Sequence, residues 1–148
     1  METHKRILVV DDDEAIRTLL FTVLRRRGFA VDMAKNGEDA IEAMQRCRYA
    51  VALVDLMMPV KNGWEVIDWM GTVPKSERPL AIVLTAGTTV REMSSDVVAG
   101  TVRKPFDVEL LIDMVLACAS VRDIVQREDC PPPHSHRAGE RPSGGDIN

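Results

Sequence analysis

Cysteine is scarce in this 148-residue chain: Cys47, Cys118 and Cys130 are the only three, at no metal-like spacing. So small and odd a number argues against a disulfide framework. A basic excess is also missing. Acids outnumber bases 23 to 19, giving a net charge of −4 and a pI of about 5.4. Nucleic-acid binders usually show a basic balance or stripe, so direct binding to nucleic acid is not expected. No long apolar run occurs either. The longest, residues 49–54 and 114–119, are six residues each, far below the roughly 18 that a membrane span requires. A secretory signal is not expected, because only residues 7–10 are apolar before three aspartates. With 45% hydrophobic and 28% charged residues, the chain reads as one soluble cytoplasmic domain. A second domain of normal size would not fit.

The sequence then alternates between two periods. Residues 7–10 (Ile-Leu-Val-Val) form a continuous apolar run, the pattern of a strand buried on both faces. After Asp11-Asp12-Asp13, the residues Ile16, Leu19, Leu20, Val23 and Leu24 mark one face of a helix. Arg25-Arg26-Arg27 and Gly28 close it. Phe29, Val31 and Met33 alternate as in an edge strand, Asn36-Gly37 breaks the chain, and residues 38–47 carry helical spacing. Residues 49–54 and 80–84 predict two more buried strands, with a helix at 64–70 between them. Residues 87–96 have room for a short helix at most, 97–103 read as the last strand, and Asp107 caps a helix running to about Gln126. Strands alternating with helices predict an α/β fold with a parallel sheet covered on both faces. Residues 128–148 are rich in Pro and Gly and almost without apolar side chains, the composition of a disordered polar tail.

Ligands of open parallel sheets bind at the carboxyl ends of the strands. The residues there are Asp11, Asp12 and Asp13, then Asp55, Thr85 and Lys104. Crowded carboxylates resist ionisation unless a cation joins them, so a metal site is expected. An all-oxygen donor set suits Mg²⁺, whose shell commonly includes phosphate. A lysine and a hydroxyl complete a place where an aspartate takes up a phosphoryl group.

VVDDD, LVDLMMP, VLTAG and VRKPF, in that order and each at a strand end, resemble the receiver domains of bacterial two-component response regulators. The resemblance covers residues 5–127. It implies a flavodoxin-like, doubly wound sheet of five strands in the order 2-1-3-4-5 with five helices. It further implies that Asp55 is the phosphoacceptor and that Asp11, Asp12, Asp55 and the Met57 carbonyl hold Mg²⁺. Thr85 takes the place of the switch hydroxyl, Ala86 that of its small neighbour, and Lys104, before a proline often cis in the family, contacts the phosphate. The implied partners are a sensor histidine kinase and a downstream protein target, with a weak homodimer left open. Asp13 is left as the cap of the first helix.

Two departures from the family pattern stand out. Lys104 comes only nineteen positions after Thr85, so the fourth helix is expected to be shortened, and Thr101 stands where the family commonly has an aromatic residue. Met57 and Gly87, two residues past Asp55 and Thr85, offer no polar side chain to position a water. Bland readings fit the remaining features: Arg25–Arg27 as a solvated helix end, a tryptophan of Trp64 and Trp69 packed on the sheet, and Cys130, His134 and His136 as no metal site. Two other functions compete with phosphoacceptance. A haloacid-dehalogenase-type phosphatase would use the DDDEA segment at residues 11–15, which matches that family's signature only in part and leaves Asp55 idle. A receiver fold kept as an unphosphorylated binding module is the other. On the leading reading the domain leaves no room for an output domain, and the signal passes through its own surface.

Overall fold

A computed structural model describes residues 5–58, 60–87 and 96–133. Five strands run in parallel: β1 (Arg6–Val10), β2 (Ala30–Ala34), β3 (Val51–Asp55), β4 (Leu80–Thr85) and β5 (Val98–Arg103). Their spatial order is β2-β1-β3-β4-β5, as the resemblance implies. The order reverses between β1 and β3, where a doubly wound sheet opens its crevice. Four helices are described: α1 (Glu14–Arg26), α2 (Gly37–Arg46), α3 (Gly63–Met70) and α4 (Val108–Ser120). The shortened helix expected between β4 and β5 falls on residues 88–95, outside the described residues.

Two cores lie on the two sheet faces, divided by the period of the strands. Ile7, Val9, Leu53, Ile82 and Leu84 face α1 and α4, meeting Leu20, Leu24, Leu111 and Val115. Leu8, Val10, Val54 and Val83 face the other way, toward Ala40 of α2 and Val66, Ile67 and Met70 of α3. Both sets are fully buried, which is why these strands read as unbroken apolar runs. Each described helix starts on a side-chain cap. Asp13 accepts from Ala15 N and Ile16 N, Asn36 from Asp39 N, and Asp107 from Glu109 N and Leu110 N. Asn62 and Glu65 form a reciprocal capping box. Gly28, at φ 94°, takes the left-handed turn that follows α1. Trp64 and Trp69 both pack, partly buried, against the α2–α3 core, and Arg25–Arg27 are exposed.

Four expectations change. First, Cys47 and Cys130 form a disulfide across 83 residues of sequence, leaving Cys118 free. Counting cysteines could not reveal this, because the pairing depends on where the chain goes after α4. It also removes Cys130 as a metal ligand. Second, the last helix ends at Ser120 rather than near Gln126. Its Val121 cap hands the chain to an extended segment that Arg122, Gln126 and Cys130 fasten to the domain. Third, residues 128–133 at the start of the expected tail are anchored, whereas 134–148 lie outside the described residues. In β2, the polar Asp32 is buried rather than solvent-facing: Arg6 pairs with it at 2.7 Å, and the Tyr49 hydroxyl donates to it at 2.6 Å. A buried charge paired in this way avoids most of its desolvation cost.

Candidate functional site

Four strand ends build the site. The ladder pairs Asp55 with Leu84 and Thr85 with Arg103, so the ends of β3, β4 and β5 lie level. Asp11 extends β1 by one step, its N–H donating to the Ala34 carbonyl at 3.1 Å. One carboxylate oxygen from each of Asp11, Asp12 and Asp55 lies within 4.8 Å of the others. Asp11 and Asp55 are buried and Asp12 is exposed, so the cluster has one solvent-facing side.

Each polar group is held. Asp11 Oδ1 accepts from the Asp13 N–H, Oδ2 from Lys104 Nζ, both at 2.9 Å, and its carbonyl from Arg17 Nη1 at 2.8 Å. Asp55 Oδ1 accepts from the Met57 N–H at 3.2 Å, and Oδ2 lies 3.5 Å from Lys104 Nζ. Burial pushes the Asp55 carboxyl up to about 6. The Met57 amide opposes that rise, Asp11 adds to it, and Lys104 and Asp12 contribute smaller effects of opposite sign. Burial alone would lower the Lys104 ammonium, but the Asp11 hydrogen bond and the two carboxylate charges outweigh it and raise its pKa. Three carboxylates against one ammonium form an oxygen-only, over-negative donor set, which fits a hard divalent cation. Asp11, Asp12 and Asp55 are the side chains that could hold it.

Thr85 is buried at the end of β4. Its hydroxyl donates to the Gly87 carbonyl at 3.1 Å and accepts from the Gly87 N–H at 3.2 Å. Its own carbonyl accepts the Lys104 N–H at 2.7 Å, tying the hydroxyl residue to the lysine through the backbone. The Lys104–Pro105 peptide is cis. The Met57 side chain is 69% exposed, so of this residue only the backbone N–H bonds to the cluster. Thus Asp11, Asp12, Asp55 and Lys104 converge, with Thr85 linked to Lys104. Asp13 caps α1, as expected.

Sequence reading missed three supporting residues. Arg17 reaches back from α1 to the Asp11 carbonyl, a contact hidden in an ordinary solvent-facing helix position. Gly63 lets α3 begin against the phosphoacceptor candidate itself: a Cβ there would lie 2.4 Å from the Asp55 carbonyl oxygen. Gly37 does the same for the loop before α3, donating to the Lys61 carbonyl at 3.0 Å where a Cβ would sit at 2.2 Å. Both glycines belong to Asn-Gly pairs, which signal a turn but not what packs against it.

The model of the response regulator receiver domain matches residues 7–116. The chain belongs to this family. Protein Rrf1 of Nitratidesulfovibrio vulgaris (strain Hildenborough) is 36% identical over 110 residues, covering 74% of this chain and 79% of that protein. Transcriptional regulatory protein ResD of Bacillus subtilis (strain 168) is 38% identical over 121 residues, but these cover 78% of this chain and only 49% of ResD. The chain therefore spans about half the length of some of its curated relatives. Among solved structures, response regulator protein TrrA of Thermotoga maritima, in complex with Mg²⁺-BeF, superposes with a TM-score of 0.68 at 35% identity. That match covers 77% of this chain and 98% of TrrA. The receiver family is a signal-transduction family of two-component systems and not generally one of enzymes, which sets the phosphatase alternative aside at the level of family. No helix among the described residues is long and apolar enough to cross a membrane.

Proposed function

We propose that Asp55 accepts a phosphoryl group from the phosphohistidine of a sensor histidine kinase and that the receiver relays this event as a change of its surface. The observation that carries this reading is the cluster itself: three carboxylates within 4.8 Å, with Lys104 Nζ 2.9 Å from Asp11 and 3.5 Å from Asp55. An Asp55 oxygen attacks phosphorus, the phosphorus–nitrogen bond breaks, and the histidine nitrogen keeps the electron pair. Asp11, Asp12, Asp55 and the Met57 carbonyl would hold Mg²⁺, which when bound neutralises charge on the phosphoryl oxygens. Lys104 donates to one of those oxygens as a point charge. The Thr85 hydroxyl leaves its local bonds to Gly87 to meet another. Because the added charge is confined to one buried point, the output is conformational: the phosphoryl group favours one of two pre-existing surfaces. The downstream target is a protein, reached in the cytoplasm by the receiver surface and not through direct nucleic-acid contact. The protein acts as a stoichiometric acceptor that slowly loses its phosphoryl group, with a weak homodimer as one form the altered surface could favour.

Incubation with Mg²⁺ and acetyl phosphate tests this directly. A single phosphoryl adduct by intact mass, absent in Asp55→Asn, is the expected result. An adduct that persists in Asp55→Asn overturns the assignment to Asp55, and no adduct in the wild type overturns it in favour of the unphosphorylated binding module.

A further inference from the structure

After α4 the chain turns back along the N-terminal edge of the sheet, the edge opposite Asp55. Arg122 donates to the Lys75 carbonyl at 2.9 Å and to the Arg78 carbonyl. Gln126 and the Arg48 backbone exchange two hydrogen bonds, at 2.8 and 2.9 Å. The segment ends on Cys130, bonded to Cys47 at the C-cap of α2. Cys47 is 3% exposed, whereas Cys130 is only partly buried. Arg6, at the start of β1, donates from Nη1 to Cys130 Sγ at 3.0 Å. Other hydrogen bonds at residues 127–130 are local, from Cys130 N to Arg127 O and from Arg127 to Asp129. Pro131, Pro132 and Pro133 then wall a cavity of about 570 Å³ shared with Arg6, Asp32 and Tyr49.

We propose that Cys47–Cys130 is a thiol–disulfide modification site, a latch that fixes residues 127–133 over α2 when oxidised and releases them when a dithiol reduces it. Disulfides are rare in reducing compartments, where those that form are mostly transient or redox-sensing. The surroundings of this pair fit such use. A reactive cysteine needs partial exposure and a nearby cation, and Cys130 has both, whereas Cys47 has neither solvent access nor a described cationic partner. A dithiol thiolate attacks the partly buried Cys130 sulfur and forms a mixed disulfide, and the Cys47 thiolate leaves, taking a proton from water as the segment lifts away. The second thiol of the dithiol then displaces Cys130, so the protein gains two thiols and the dithiol becomes a disulfide. For closure, the Arg6 guanidinium favours the Cys130 thiolate, which attacks a low-molecular-weight disulfide. Cys47 resolves the mixed disulfide and expels the second thiol. Because the latch and the acid cluster occupy opposite edges, redox state is an input separate from the phosphoryl group.

The test uses the full chain, with dithiothreitol and glutathione disulfide as probes and native maleimide labelling read by intact mass. The oxidised protein should take at most one label, on Cys118, and the reduced protein up to three. Hydrogen exchange should rise at least about tenfold over residues 127–130, the amides before the three prolines, on reduction, while β3 and β4 stay protected. Beryllofluoride with Mg²⁺ should produce the same protection change around Asp55 in both states. Cys130→Ser should reproduce the reduced pattern, with circular dichroism confirming the fold. Arg6→Gln should slow closure by about threefold for each unit by which the Cys130 thiol pKa rises, since the smaller thiolate fraction is partly offset by greater nucleophilicity. Three free thiols after treatment with glutathione disulfide, or unchanged exchange over 127–130 on reduction, would overturn the latch. So would a bond that dithiothreitol opens only on unfolding, or unfolding of both Cys130→Ser and the reduced wild type, because a bond the fold requires is not a switch.

Discussion

Lys104 Nζ is bonded to Asp11 at 2.9 Å and stands farther, at 3.5 Å, from Asp55. The lysine thus serves first as counter-ion to a fully buried aspartate and reaches the phosphoacceptor candidate second. A divalent ion entering among Asp11, Asp12 and Asp55 would compete with it for the same charge and free the ammonium for an incoming phosphoryl oxygen. Two effects of opposite sign follow for Lys104→Ala. Mg²⁺ affinity, measured by calorimetry or tryptophan fluorescence, should tighten by about tenfold, the equivalent of roughly 1.4 kcal/mol from removing a competing cation in a half-screened site. Acceptance from acetyl phosphate should fall by at least about tenfold, because the transferring group loses a charge partner. Weaker Mg²⁺ binding in this variant would show that Lys104 organises the acids rather than competing for them.

Gly63 couples the fold to the same site. A Cβ there meets the Asp55 carbonyl oxygen at 2.4 Å and Leu56 Cα at 2.6 Å, both backbone atoms that cannot swing away. Gly63→Ala should therefore cost about 1–3 kcal/mol, the range for overpacking a closed contact. A urea midpoint lowered at unchanged slope would show this. The same shift moves the strand end that carries Asp55, so the beryllofluoride response should weaken more than the stability loss alone would produce. A wild-type response in a destabilised Gly63→Ala would separate the two roles.

The order of these elements was legible because it rests on short-range chemistry. Residues 7–10, 49–54 and 80–84 are apolar on both faces, each is followed by a polar residue at the crevice edge of the sheet, and Asp13 and Asp107 are caps by type and position. The site followed from the topology, since a parallel sheet gathers its strand ends at one edge. What stayed hidden depends on distant partners. Asp32 looked like the polar side of an edge strand, yet Arg6 and Tyr49, from two other segments, bury it. Cys47 and Cys130 looked unrelated, being separated by 83 residues and joined only because α4 stops at Ser120 and the chain doubles back. In the chain-entropy picture so long a loop adds roughly 4.5 kcal/mol to stability, a contribution invisible to composition.

Tyr49, the single tyrosine of the chain, reports on that buried cluster. Burial raises its pKa far above the usual 10, the Asp32 charge and hydrogen bond raise it further, and Arg6 only partly opposes them. In the folded protein the phenol keeps its proton where a free tyrosine would lose it. The unfolded state then binds fewer protons than the native one above about pH 10, so stability from this group falls as pH rises there. Absorbance near the phenolate band should stay flat through pH 10–11 and rise only together with loss of circular dichroism. A separate phenolate transition near pH 10 in the folded protein would contradict the cluster. In Asp32→Asn the phenol should titrate earlier than in the wild type.

On the proposed assignment, the lifetime of a phosphoryl group on Asp55 depends on whether any side chain can hold an attacking water beside it. Met57 is 69% exposed and apolar, and a Cβ at Gly87 would meet nothing within 4 Å among the described residues. Neither position offers a polar side chain, and a longer polar one would reach toward Asp55 from either. The phosphorylated wild type should therefore be long-lived, and Met57→Asn should shorten its half-life several-fold by orienting water for attack. Gly87→Asn should act in the same direction, and the double variant should be shorter-lived than either. Decay of an acid-quenched phosphoprotein, followed by intact mass after removal of acetyl phosphate, measures this. Neither substitution should alter the rate of loading, since Lys104 and the three carboxylates are untouched. A wild-type half-life of seconds, unchanged in Met57→Asn, would mean that water reaches Asp55 by another route, with the open side at Asp12 the first place to look.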